Sequence, residues 1–199
     1  MLIMLFMSVL AVANAKSFEQ AFVALAPHYT PLLDTKARAA IIEAIKDTSK
    51  TEIKNIFAKT IEIQQLDSAN SIMKLKVSEN ACYEFRKITY EQKTLYCFIR
   101  SIISQPSASQ VFFFDDQMQN LALKIKMPEA NDWISDNTEL KNIELMHHLS
   151  QSAFISISFD SNNSVRFDNH LLHVLTLEQK KQLEPIFKAS ITRNLVLSL

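Results

Sequence analysis

CYEFRKITYEQKTLYCFIR, residues 82–100, holds two runs of aromatic and β-branched residues on either side of a polar YEQK. That pattern predicts a β-hairpin turning at YEQK. Such a turn sets Tyr83 opposite Arg100, Phe85 opposite Phe98 and Lys87 opposite Tyr96 on one face. The other face carries Ile88, Leu95, Cys97 and Ile99 and is interrupted by Glu84 and Arg86. If the second face is the core, then Tyr83, Phe85, Lys87, Tyr96, Phe98 and Arg100 form a displayed row of rings and cations. They are then the candidate ligand-binding residues, able to stack on a sugar, a peptide or a base. If the aromatic face is the core, the rings are packing and nothing more. The same register places Cys82 opposite Ser101 and Cys97 opposite Arg86. The two cysteines are then about four residues or ~13 Å apart, beyond the ~7 Å that a disulfide spans. Two thiols are expected unless a bulge shifts the pairing.

Moving outward from the hairpin, a period of two continues in both directions. Ile61 and Ile63, then Met73, Leu75 and Val77, then Leu121, Leu123 and Ile125 alternate with polar neighbours, and VFFF at 111–114 lies between them. These runs predict a meander of about six antiparallel strands. Ile155, Ile157 and Phe159 repeat the alternation and face Val165 and Phe167 across DSNN. ITRNLVLSL closes the chain as one more strand. Helical spacing marks the rest. Phe18, Ala21, Phe22 and Leu25 end at Pro27; Ala37, Ala40, Ile41, Ala44 and Ile45 follow Asp34; a shorter turn is expected from Thr51 to Phe57. Capping boxes at Asp136/Glu139 and Thr176/Gln179 open two later helices, the second cut short by Pro185. The expected fold class is α+β. An antiparallel meander of about seven to nine strands carries N-terminal helices and two later helices packed on it, in a single domain over residues 16–199.

The chain has 199 residues and no glycine, where about fourteen would be usual. P-loops, dinucleotide fingerprints, the GxSxG elbow and the calcium loop all need a residue without Cβ, so those activities are excluded. The turns DSAN, SEN, DDQMQN and DSNN are expected to use Asn and Asp at left-handed positions instead.

Lys+Arg and Asp+Glu are both 21, a balance that argues against nucleic-acid binding. Residues 1–15 read as a signal peptide: an apolar stretch from Leu2 to Val12, then Ala13-Asn14-Ala15 before Lys16. The stretch is shorter than the ~20 residues of a membrane span. Export to the periplasm or cell surface is therefore expected, with no stable membrane insertion after cleavage.

Four of the five histidines are His147, His148, His170 and His173. The first two are adjacent on a helix, about 100° apart, and the second two are three apart on an expected strand, so neither pair faces one ion. No metal site and no cofactor is expected. Asp168 and His170 are available to a Ser-His-Asp arrangement, but no motif singles out a serine. Asp115 and Asp116 read as turn residues.

PHYTPLLDTKARAAIIEAI (27–45), YCFIRSIISQPSASQVFFFDDQMQNL (96–121), FISISFDSNNSVRFDNHL (154–171) and LTLEQKKQLEPIFK (175–188) together resemble a family of small exported Bacteroidetes proteins of unknown function. The resemblance implies export and an uncharacterised role, and it carries no site residues. The expected function is a noncatalytic exported binding or structural domain whose partner is an envelope protein, a peptide or a glycan. The alternative is a small secreted hydrolase with an unidentified Ser/His/Asp site; no catalytic residue is assigned.

Overall fold

The computed structural model describes residues 16–46, 52–104, 107–135, 143–161 and 164–199. Residues 1–15, expected to be a signal peptide, and the expected Asp136/Glu139 capping box lie outside these residues.

The hairpin forms in the expected register. Strand β3 (Ala81–Tyr90) and strand β4 (Lys93–Ile102) pair with Tyr83 opposite Arg100, Phe85 opposite Phe98 and Lys87 opposite Tyr96. Around it, β1 (Glu62–Asp67), β2 (Ile72–Ser78), β5 (Ala108–Phe114) and β6 (Asn120–Leu121) complete a six-stranded antiparallel sheet in sequential order. The remaining strands form smaller sheets. Strand β8 (Ile155–Ser161) and β10 (Ser190–Asn194) flank β9 (Ser164–Asn169), with Ile157 opposite Phe167 and Phe159 opposite Val165. Strand β7 (Lys124–Ile125) pairs with β11 (Leu197–Ser198). ITRNLVLSL is thus two strands in two sheets. The fold class is α+β with antiparallel sheets, as the alternation predicts.

Both faces of the hairpin are buried, each in a different core. The odd-numbered face of β3 carries Tyr83 and Phe85, which join Tyr96, Phe98, Phe114, Met73 and Leu75 in one core. Helix α1 (Phe18–Ala24) and helix α2 (Thr35–Lys46) cover that core with Phe18, Phe22, Ala37 and Ile41. The even-numbered face supplies Ile88, Leu95, Cys97 and Ile99 to a second core, closed by Trp133, Leu149, Phe159, Phe167 and Leu183 from the C-terminal third. The six-stranded sheet is the middle layer of three. Helix α3 (Ile143–Leu149) and helix α4 (Leu177–Leu183) lie on the C-terminal side. Thr176 and Gln179 form the expected capping box for α4, and a 3-10 turn at Glu184–Ile186 follows where Pro185 ends it.

The left-handed positions are not where composition places them. Among the described residues they are Ala58, Ser71, Glu91, Gln92 and Met118, none of them Asn or Asp. The acidic turn residues accept hydrogen bonds instead. Asp67 Oδ1 takes the N–H of Asn70 at 2.9 Å, and Asp115 Oδ1 those of Gln117 and Gln119 at 2.9 and 2.8 Å. An Asx or longer carboxylate cap stabilises the loop from one end while the strained residue sits at the other. At YEQK both central residues, Glu91 and Gln92, have positive φ, the geometry that a two-residue hairpin loop demands and that Asn-Gly fills best. We expect Gln92→Gly to raise stability by about 0.5–1 kcal/mol, the relief of a left-handed Cβ less the entropy that glycine adds to the unfolded chain. Urea unfolding of the two proteins checks this.

Two further local expectations are corrected. Residues 52–60 form no helical turn; an isolated bridge joins Lys54 to Thr60 around a tight loop. The strand from Ser164 ends at Asn169, because Asn169 Oδ1 accepts the N–H of Leu171 at 3.0 Å and turns the chain into a 3-10 segment, Leu171–His173. Cys82 and Cys97 are free thiols, opposite Ser101 and Arg86 as the register requires. Burial pushes the Cys97 thiol well up, so it is inert.

Candidate binding site at the turn end of the sheet

Three chain segments meet at the end of the large sheet where β2 turns into β3. Strand β4 ends there, and Ile103 donates its N–H to Asn80 O at 3.0 Å, tying the end of β4 to the β2–β3 turn. Beside it the loop 54–60 is organised by one buried side chain. Asn55 Nδ2 donates to Val77 O at 2.7 Å, while its Oδ1 accepts from Phe57 N at 2.9 Å and Lys59 N at 3.1 Å. Ala58 takes φ 57° to close the loop. Ile56 N donates to Leu32 O at 3.1 Å, and Leu32 N to the Tyr83 hydroxyl at 3.4 Å, which links this loop and the segment before α2 to β3.

The result is a rigid apolar rim. Ile56 is 51% exposed, Phe57 67%, Ile102 54% and Ile103 41%. Large apolar side chains this open cost free energy in water, about 25 cal/mol per Å², and when gathered they mark contact surfaces. Ile103 lines a separate cavity with Cys82 and Glu84, while Ile102 lines a cavity of about 320 Å³ to whose wall Ile56 is bonded at Leu32. Leu32, Ala81, Ile102 and Ala108 give it apolar walls, and Tyr83 and Arg100 supply polar groups. Arg100 is held in place rather than free to swing: Nη2 donates to Gln110 Oε1, Nη1 to His28 O at 3.3 Å, and its guanidinium lies 5.7 Å from the centre of the Phe112 ring. Burial pushes the Tyr83 hydroxyl up, against the Leu32 N–H and Arg100, so it stays a neutral donor and acceptor. A second cleft of about 760 Å³ lies on the β1 side, lined by Lys59, Lys76, Glu62 and Glu79 among others.

Asn55→Ala should remove three hydrogen bonds and leave Val77 O unpaired in the interior. We expect a loss of about 1–3 kcal/mol together with faster amide hydrogen exchange at Phe57 and Lys59, the two amides that Asn55 fixes.

Of the six residues predicted from sequence, the structure brings Tyr83 and Arg100 to this cavity and leaves the others elsewhere. Phe85, Tyr96 and Phe98 are core. Phe85 stacks on Phe18 at 5.2 Å and on Tyr96 at 5.7 Å, and Phe98 meets Tyr83 edge-on at 5.2 Å. The Tyr96 hydroxyl donates to Lys16 O at 2.5 Å. Lys87 is exposed but stands toward the opposite end of β3. The exposed aromatic row therefore does not form, because α1 and α2 cover it. The residues sequence reading missed are Asn55, Ile56, Phe57, Ile102 and Ile103. Their signal was an apolar pair inside a polar loop and an isoleucine pair just before SQPSAS.

On the other face, Glu84 and Arg86 are buried as an ion pair, Arg86 Nε lying 2.9 Å from Glu84 Oε1, with Lys74 Nζ 3.6 Å from Oε2. Arg86 also lies 4.4 Å over the Phe159 ring. Burial raises the Glu84 carboxyl above its usual range despite Arg86, Lys74 and the Phe159 N–H.

His147 and His148 are adjacent near the end of α3, with ring centres 6.1 Å apart. His170 and His173 do share a face, contrary to the strand reading: one 3-10 turn eclipses residues three apart, and their rings stack at 6.1 Å. Among the described residues no group of three or more His, Cys, Asp or Glu is placed to hold a metal, and no helix is long and apolar enough to cross a membrane.

The family of proteins of unknown function DUF3256 matches residues 10–194. The chain belongs to this family. A solved structure of a domain of an uncharacterized protein from Porphyromonas gingivalis W83 is similar over 94% of this chain and 100% of that one, with a TM-score of 0.68 and 12% identity. That likeness shows a shared fold. No match is found among curated proteins. The expected resemblance to Bacteroidetes proteins of unknown function thus holds, and the three-layer fold described above is shared with that solved structure.

Proposed function

We propose that this DUF3256 protein is an exported binding domain of the periplasm or cell surface, and that its turn end takes an apolar segment of an envelope protein or peptide. One observation carries the reading: the exposed Ile102 lines a cavity that holds Tyr83 and Arg100, and the exposed Ile56 and Phe57 stand on the loop bonded to its wall at Leu32. The rim supplies burial energy and the two polar groups supply direction, the usual division in a recognition site. A glycan is served less well, since Phe57 is the single exposed aromatic ring at this end among the described residues. The leader at residues 1–15 supports export. No nucleophile paired with a base lies in this cavity, so the reading for the turn end is binding without chemistry.

A photoreactive side chain placed at position 57 or 102 should crosslink an envelope protein in the native cell, whereas one at the exposed Leu177 should not. Phe57→Asp with Ile102→Asp should abolish the crosslink while leaving stability within about 0.5 kcal/mol of the parent. Equal capture from all three positions would overturn the assignment.

A further inference from the structure

We propose that Ser156 is a nucleophile served by His170 as general base, and that the small cavity beside it accepts a short-chain acyl ester. The outer face of the three-stranded sheet and the polar end of the large sheet meet in a corner. Into this corner open Ser156 and Ser158 from β8, Lys74 from β2, Cys82 and Glu84 from β3 and Ser101 from β4, around a volume of about 200 Å³. That space suits an acyl group of a few carbons, not a long chain.

The geometry of the pair is fixed from behind. Asn169 is buried and held at both ends of its amide, Nδ2 donating to Leu149 O at 3.1 Å and Oδ1 accepting from Leu171 N at 3.0 Å. His170 N donates to Phe154 O at 2.7 Å. With its backbone clamped, the imidazole reaches back along the sheet so that Nε2 lies 2.8 Å from Ser156 Oγ, within the reach a general base needs. Burial lowers the His170 pKa, against the pull of Asp168, so the ring is neutral and able to accept a proton. Asp168 stands directly across from Ser156, but its carboxylate is engaged by Arg166 Nε at 2.9 and 3.2 Å and by the Ser190 hydroxyl. It acts on His170 through charge alone, and the unit is a dyad rather than a triad. The β8 edge is held against the large sheet by Ser109, whose Oγ accepts from Ile157 N at 2.9 Å and lies 2.7 Å from Ser101 Oγ. Ser156 therefore sits on a braced strand, as a preorganised nucleophile requires.

In the step inferred, Ser156 Oγ bonds to the acyl carbon as its proton passes to His170 Nε2. The ester C–O bond then breaks, and the departing alcohol oxygen takes that proton. Water attacks the acyl-serine, gives a proton to Nε2, and the Oγ–acyl bond breaks to release a carboxylic acid while Oγ recovers the proton.

Tyr83 and Ile103 also line this cavity, but the step inferred uses neither of them nor Arg100, so it stands apart from the binding reading. The test uses an alkyl fluorophosphonate, which phosphonylates an activated serine by displacing fluoride. The folded chain should gain one phosphonyl group, mapped by peptide mass to Ser156. His170→Gln should slow labelling at least a hundredfold with thermal unfolding unchanged, and Ser150→Ala, at an exposed serine away from the cavity, should leave it intact. An unlabelled wild-type protein, a label on another residue, or Ser156 labelling that His170→Gln leaves unaltered would each overturn the proposal. Because wild type and Ser150→Ala decide where the label goes, the result stands even where His170→Gln is poorly folded.

Discussion

Arg86→Met lowers the stability of the folded chain by about 3–5 kcal/mol, because it strands Glu84 as a charge in the interior. Arg86 and Glu84 lie under the three-stranded sheet with the Phe159 ring across the guanidinium, and Lys74, 3.6 Å away, is left to compensate alone. The double variant Arg86→Met/Glu84→Leu recovers most of the loss, since a buried pair replaced by apolar side chains of similar volume is often neutral. Urea unfolding of both variants measures the two effects, and a double variant as unstable as the single one would show that packing on Phe159 dominates. The pH dependence has a definite sign. The Glu84 carboxyl has a folded pKa raised above its ordinary 4.5, so between those two values the folded chain holds a proton that the unfolded chain has released. Stability from this group is full below about 4.5 and declines as pH rises through the folded pKa. Glu84→Gln abolishes that slope, which a series of urea midpoints across the interval reads directly.

Phe98→Ala costs about 3–5 kcal/mol, the range for a large aromatic removed from a close-packed core. Phe98 is enclosed by Tyr83, edge-on at 5.2 Å, and Phe112, stacked at 6.4 Å, with α1 and α2 closing the layer above. Lys87→Ala, on the same face of the same hairpin but exposed, changes stability by less than about 0.5 kcal/mol. The contrast separates the two meanings that an aromatic row in a strand can have. A contact surface would lose binding and keep its stability on truncation; a core loses stability, and chemical denaturation of the two variants tells them apart.

Much of this molecule was legible residue by residue. The turn at YEQK, with four residues between two β-rich runs, admits one register, and that register held along the whole of β3 and β4. It also kept Cys82 and Cys97 apart as free thiols. The Thr176/Gln179 box and Pro185 bounded α4 at both ends, since caps and prolines act within one helical turn. The candidate site was half legible. Tyr83 and Arg100 were named for a shared face, and they do line one cavity, but its other walls come from Leu32 and Ala108, residues distant in sequence that only folding brings together.

What the sequence by itself determined is the local layer: where the chain alternates, where it coils, which residues lie across from each other in a hairpin, and that glycine-dependent phosphate and nucleotide sites are absent. Those properties follow from backbone sterics and from periods of two and 3.6. Only the tertiary structure decided that both faces of the hairpin are dry. Alternation can mark a face as apolar, but it cannot say which other segment will cover it, and here the N-terminal helices took one side and the C-terminal third the other. The placement of Ser156 against His170 and the stacking of His170 on His173 were settled in the same way, by the side chain of Asn169 ending a strand one residue before the imidazole, a contact between neighbours whose direction depends on the sheet behind them.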